Sequence, residues 1–149
     1  ILCSPFIEPV SRETLVLRPP LLVAGIGCNR GTPMADIKNF LVETFDQNNL
    51  SFHSLCRLAS VDIKSDEAGL TALASSLGVE IAFFSTSTLN KVDRIKTPSK
   101  MAEKHIGVKS VCEASAILAA DRLSKTGQGE LILTKQKNRD VTVAVAIVK

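Results

Sequence analysis

The run Leu21-Leu22-Val23-Ala24-Gly25-Ile26-Gly27 constrains the fold more than any other stretch of the chain. An apolar run without polar alternation, closed by glycines, has the form of a strand buried on both faces. Such a strand needs helices on both sides of its sheet. The sequence supplies the first one at once. Thr32-Pro33 reads as an N-cap and a first-turn proline, and Ile37, Phe40, Leu41 and Phe45 then recur at helical spacing through to Asn48 and Asn49.

The same alternation continues downstream. Leu58 to Ile63 predicts a strand, Glu67 to Leu77 a helix with Leu70, Leu73, Ala74 and Leu77 on one face, and Gly78 its stop. Ile81 to Phe84 predicts a third strand, followed by Ser85-Thr86-Ser87-Thr88 as the cap of a short helix through Val92. Pro98 opens a further helix carrying Met101, Ala102 and His105, which Gly107 ends. Ser110, three residues before Glu113, has the capping-box spacing ahead of a helix from Ala114 to Leu123. Leu131 to Thr134 and Val141 to Val148 then read as strands separated by the polar segment Gln136 to Asp140. The expected architecture is α/β: three layers, α/β/α, around a mixed, mostly parallel sheet with a C-terminal antiparallel hairpin.

Composition narrows the function classes. Pro5, Pro9, Pro19 and Pro20 give residues 1–20 the character of a linker exposed by cutting a longer protein, leaving 21–149 as one domain. The net charge of +3 is spread over interleaved basic and acidic residues, and six Phe with no Trp or Tyr offer little for base stacking, so nucleic acid is not an expected partner. No apolar run is long enough for a bilayer and no secretory leader opens the chain, so the expected compartment is the cytoplasm, with no membrane partner. The four cysteines show no metal-type spacing, and His53 and His105 have no partner at ligand spacing, so all four thiols are expected reduced and no protein-bound metal is expected.

The segment with most chemical content is Gly25-Ile26-Gly27-Cys28-Asn29-Arg30-Gly31-Thr32, which joins a strand to a helix N-terminus. There, free N–H groups and the helix dipole favour an anion, and Arg30 can grip a carboxylate or phosphate in bidentate fashion. The same glycines could serve backbone geometry alone, and neither the Rossmann nor the Walker pattern is completed. Cys28, beside that helix start, is the thiol whose pKa could be depressed. Asp62-Ile63-Lys64-Ser65-Asp66-Glu67 brings an amine and carboxylates to the end of the second strand, the edge where open α/β sheets bind ligands. Lys64 could hold an acidic group and Glu67, if buried, could activate water, or Glu67 could only balance a helix dipole. Thr97-Pro98-Ser99 and Ser110-Val111-Cys112-Glu113 are two further helix starts, at which capping and ligand contact are both open.

Four segments in register resemble the C-terminal CbiG/CobE family over about Leu21 to Ala146: Gly25-Ile26-Gly27-Cys28 with Arg30-Gly31-Thr32; Ala59 to Lys64 with Glu67-Ala68-Gly69-Leu70; Pro98-Ser99; and Gly107 to Ala114. The resemblance implies a three-layer α/β domain working on the anaerobic cobalamin pathway. There CbiG proteins open the ring-A δ-lactone of cobalt-precorrin-5A and release a two-carbon fragment as acetaldehyde, giving cobalt-precorrin-5B. It implies no cofactor of the protein's own, since cobalt arrives inside the tetrapyrrole, and it makes the N-terminal domain of a CbiG protein the expected partner, with a homodimer left open. In that scheme Glu67 is the general base and Lys64, with Arg30, stabilises an oxyanion or holds acetate and propionate groups. Gly27, Cys28, Asn29, Arg30, Gly31, Thr32, Ser99, Ser110 and Glu113 are the expected substrate contacts. Asn29 stands where a second basic residue is common in the family. Two other readings stay open: a carrier that holds an intermediate without turning it over, as CobE could, and a nucleotide- or phosphate-binding domain built on the same glycine turn.

Overall fold

In the computed structural model, which describes residues 1–98, 100, 103–104 and 107–149, a short parallel pair, β1 (Leu2–Cys3) and β2 (Val16–Leu17), precedes the central strand β3 (Leu22–Cys28). Alternation along β3 sends Leu22, Ala24 and Ile26 to one face of the sheet and Val23 to the other, and all four are fully buried. Helices α1 (Met34–Gln47) and α2 (Ala68–Leu77) cover the first face through Ile37, Leu41, Phe45, Leu70 and Leu73. The opposite face is covered by α3 (Thr86–Asn90) and α4 (Val111–Leu123), whose packing residues Ala114, Ala116, Ala119 and Ala120 are nearly all small. The result is the expected three-layer α/β/α arrangement.

The main sheet has five strands in the order β5-β4-β3-β7-β6, with β4 (Leu55–Val61), β5 (Glu80–Phe84), β6 (Gly129–Lys137) and β7 (Val141–Val148). Strands β3, β4 and β5 pair in parallel, while β7 pairs antiparallel to both β3 and β6. Four strands therefore point the same way and only β7 is reversed, so the carboxyl ends of β3, β4 and β6 meet at one edge. The α4 helix lies close on β3 because Gly25 has no side chain: a Cβ there would sit 1.8 Å from the Cys112 carbonyl oxygen. Gly129 plays the same part against Ala120.

Several sequence expectations shift by a few residues. Strand β4 stops at Val61, and Asp62–Lys64 forms a 3-10 turn instead of the strand end expected there. Helix α1 begins at Met34 with Pro33 as its N-cap residue; Thr32 does not cap it but donates its hydroxyl back to the Asn29 carbonyl at 2.7 Å. Gly78 ends α2 in the left-handed conformation and Ser85 caps α3 by accepting from the Thr88 N–H, both as expected. The helix expected to carry Met101, Ala102 and His105 rests on positions outside the described residues, as does Ser99. Residues 1–20, read as linker, touch the end of α1: Phe6 forms a bridge with Leu50, and the Ile7 N–H donates to the Asn49 carbonyl at 2.6 Å.

Candidate functional site

A cavity of about 510 Å³ opens at the shared carboxyl edge of β3 and β4. It is bounded by the β3–α1 turn, the 3-10 turn after β4, the N-terminus of α4 and the tip of the β6–β7 hairpin. Of the expected glycine-turn residues, Gly27, Cys28, Asn29 and Arg30 line it, whereas Gly31 and Thr32 line a separate depression on the far side of the turn, together with Glu67. The turn is fastened to the hairpin by Asn29, whose N–H donates to the Asp140 carbonyl and whose side-chain amide donates to the Asp140 carboxylate at 3.0 Å. The glycines have separate tasks. Gly27 leaves room for Thr142 on β7, since a Cβ would stand 2.6 Å from its hydroxyl, and Gly31 takes φ +77°, where a side chain is strained.

The second expected cluster is split by its own ion pairs. Arg30 donates to Asp66 at 2.6 Å, to Glu67 at 3.2 Å and to the Ile63 carbonyl at 2.6 Å. The hydrogen bond with Arg30 holds the Asp66 carboxyl below its ordinary range, and the same contact raises the guanidinium. Glu67 is buried, with both oxygens engaged: one accepts from Arg30 and the other from the Gly31 N–H at 3.2 Å. Glu67 thus occupies a donor of the turn that an incoming anion would otherwise use. Lys64 is different. It is 8% exposed, lines the cavity, and has no side-chain hydrogen bond or ion pair among the described residues.

At the start of α4, Ser110, Val111 and Cys112 line the cavity, but Glu113 does not. Ser110 occupies the N-cap position without a side-chain cap bond, and the capping box expected with Glu113 is not made. Glu113 is fully buried and turns toward three distant N–H groups instead, those of Lys96 at 2.7 Å, Thr97 at 2.8 Å and Lys135 at 2.7 Å. Those bonds make it a staple between α4, the segment around residue 96 and β6, set behind the cavity wall. Burial opposes its ionisation, but the N–H donors of Lys135, Thr97 and Lys96 outweigh burial and hold its pKa below the ordinary value. Neither thiol in the cavity wall is activated. Burial raises Cys28 despite Lys64 and Arg30, contrary to the depression expected from the helix start, and pushes Cys112 up to about 11.

The sequence reading missed the fourth wall. Lys135, Lys137, Asn138 and Arg139 line the cavity from the hairpin. Gln136 and Lys137, expected in the connecting loop, belong to β6, and the turn is confined to Asn138–Asp140, where the Asn138 side chain accepts from the N–H groups of Asp140 and Val141. The register of β6 on β7 shifts between Leu133 and Gln136, and in that irregular stretch the Lys135 N–H bonds Glu113. Basic residues at alternate positions, Lys135, Lys137 and Arg139, were the available signal. The cavity is lined by five cations and one carboxylate, Asp140, so its wall carries an excess of positive charge. Among the described residues no group of His, Cys, Asp and Glu is placed to hold a metal ion, and no helix is long and apolar enough to cross a membrane.

Comparison with known proteins places the fold and the chain together. The family described as cobalamin synthesis G C-terminus matches residues 22–146. The chain is 33% identical over 141 residues to a cobalt-precorrin-5A hydrolase of Priestia megaterium, covering 95% of this chain but 36% of that protein. It is 28% identical to Protein CobE of a Sinorhizobium species over 84% of this chain and 79% of that protein. The crystal structure of CobE, a protein from the cobalamin (vitamin B12) biosynthetic pathway, superposes with a TM-score of 0.80 at 34% identity, covering 85% of this chain and 93% of that chain. The chain therefore spans about a third of the curated hydrolase and most of CobE.

Proposed function

The chain belongs to the cobalamin synthesis G C-terminus family, and we propose that it is the corrinoid-binding domain of a cobalt-precorrin-5A hydrolase, holding its tetrapyrrole in the cavity between the β3–α1 turn and the β6–β7 hairpin. The observation that carries this reading is Lys64, a buried cation facing a cavity with no counter-ion of its own. An anion entering the cavity gains a charge-assisted hydrogen bond to this ammonium without first displacing a protein partner. A macrocycle with acetate and propionate side chains supplies such anions, and the cobalt comes within it as substrate.

Opening the lactone requires activated water and stabilisation of the oxyanion that forms at the carbonyl. Lys64 is suited to the second task. For the first, Glu67 lies behind the β3–α1 turn in the separate depression, so its use as base requires both that Arg30 leave it for a ligand carboxylate and that the turn shift to open it to the cavity. Asp140, the carboxylate that lines the cavity, is held by Asn29 at its rim. The rest of the longer hydrolase is the natural partner in this scheme.

A second reading, binding without turnover, is favoured by one observation: the chain covers 79% of the Sinorhizobium CobE, so a protein of little more than this domain occurs by itself. Acetaldehyde release from cobalt-precorrin-5A separates the two. Release by this chain, lowered about 100-fold or more by Glu67→Gln or Lys64→Ala, supports hydrolysis within the domain. Corrinoid binding without release, with release restored by the remainder of a longer hydrolase, supports the binding reading. Failure to bind the corrinoid at all overturns both.

A further inference from the structure

The cations around the cavity are not equivalent. Arg30 is committed to Asp66 and Glu67, whereas Lys64, Lys135, Lys137 and Arg139 have no carboxylate within ion-pair distance among the described residues. Lys64 is buried, Lys135 is half-buried, and Lys137 and Arg139 stand exposed at the hairpin tip. Unpaired charge thus lines the cavity from the turn after β4 to the tip of the β6–β7 hairpin. Lys135 and Lys137, alternate residues of β6, lie roughly 7 Å apart along the backbone, Arg139 follows in the turn, and Lys64 comes from the 3-10 turn after β4, so the unpaired charge is supplied from two walls of the cavity. The positions are also fixed. Glu113 holds the backbone of Lys135 inside the irregular stretch of β6, and the Asn29–Asp140 contacts tie the hairpin tip to the β3–α1 turn.

We infer that the β6–β7 hairpin is the specificity element of the cavity, which takes a macrocycle bearing several free carboxylates and discriminates against the same class of macrocycle with those groups amidated. The inference rests on the tetrapyrrole reading above and adds to it the chemical state of the ligand's periphery. A carboxylate meeting an unpaired ammonium or guanidinium gains a charge-assisted hydrogen bond. A neutral amide gains little and leaves the cation uncompensated. The rim cations, being exposed, act through salt-sensitive attraction, whereas Lys64 is screened less.

The test measures dissociation constants of the chain for porphyrins with eight, four and two carboxylates, and for cyanocobalamin as a corrinoid whose side chains are amides. Each is titrated at low and high salt against the wild type and the exposed double variant Lys137→Ala/Arg139→Ala, with circular dichroism as the check on folding. The expected result is an affinity that falls by roughly tenfold or more from eight carboxylates to two, little binding of cyanocobalamin, and a loss of at least about tenfold for the octacarboxylate in the double variant. Equal affinities across the series, or a double variant that binds the octacarboxylate as the wild type does, overturn the specificity inference while leaving the tetrapyrrole reading in place. Tight binding of cyanocobalamin overturns it in the same way. Absence of binding to every macrocycle overturns both.

Discussion

Removing the Glu113 carboxylate is the most direct probe of how the cavity is assembled. Its two oxygens accept three backbone N–H groups from residues far away in sequence, Lys96, Thr97 and Lys135. Glu113→Ala orphans all three. Glu113→Gln leaves one oxygen for the Lys96–Thr97 pair but presents an NH₂ group to the Lys135 N–H, so one bond becomes a donor–donor contact. Hydrogen bonds to a charged group are worth about 1.5–3 kcal/mol each. Lys96 is exposed and the other two residues are half-buried, so water recovers part of the loss. The expected destabilisation is about 4 kcal/mol for Ala and about 2 kcal/mol for Gln, equivalent to Tm losses of roughly 8–16 °C and 4–8 °C at this chain length. Urea unfolding at pH 7 measures both. The pH dependence gives a second readout. The folded-state pKa of Glu113 lies below its free value, so its contribution is complete above the ordinary carboxylate range of about 4.3 and is lost as pH falls through the folded value. The gap between wild type and Glu113→Gln should therefore hold from pH 7 to about 5 and narrow as pH falls below about 4.3. Variants within about 0.5 kcal/mol of wild type at pH 7, the ordinary range for neutral surface changes, would refute the staple.

Gly25→Ala should prevent or severely impair folding, because its Cβ would fall 1.8 Å from the Cys112 carbonyl oxygen, whereas Gly31→Ala meets nothing within 4 Å and should cost only about 1–2 kcal/mol for its left-handed backbone; thermal denaturation of the pair separates packing from conformation. Alkylation at pH 8 should label exposed Cys3 first and Cys112 only on unfolding, since burial raises the Cys112 thiol to about 11; mass spectrometry of the labelled peptides, with Cys112 modified early, would contradict its burial.

The elements the sequence made legible are those fixed by local chemistry. The apolar run of β3, Gly78 at the end of α2 and Ser85 at the start of α3 each depend on one residue's conformational range or on a neighbour within one turn. Ser110 and Glu113 show where that reasoning ends. Their spacing satisfies a local capping rule, but Glu113 finds three N–H donors from other segments, and three such bonds outweigh the single reciprocal one of a capping box. Thr32 fails as a cap for a related reason: its hydroxyl satisfies the Asn29 carbonyl and closes the turn on which Gly31 reverses the chain. The glycines of the β3 motif were visible, yet their division between helix packing at Gly25, strand packing at Gly27 and turn geometry at Gly31 depends on what lies opposite each one.

The charge of the cavity was hidden by averaging. Basic and acidic residues interleave along the chain and sum to +3, a value that describes almost any soluble domain. Function depends instead on which cations are left over after the fold has made its pairs. Arg30, the residue the glycine motif singles out, is consumed by Asp66 and Glu67, and Arg57 and Arg94 are taken by Glu80 and Asp121. Lys64 and the alternating Lys135, Lys137 and Arg139 line the cavity without a counter-ion among the described residues. In sequence those last three look like the charges that keep an edge strand from aggregating, and β6 is an edge strand. What gives them a second use is the reversed strand β7. By running antiparallel to both β3 and β6, it brings the end of β6 to the same edge as the ends of β3 and β4. The cationic wall of the cavity is therefore a consequence of topology acting on an ordinary edge strand, and under the proposed specificity the residues to exchange first are those of the hairpin, before those of the glycine turn.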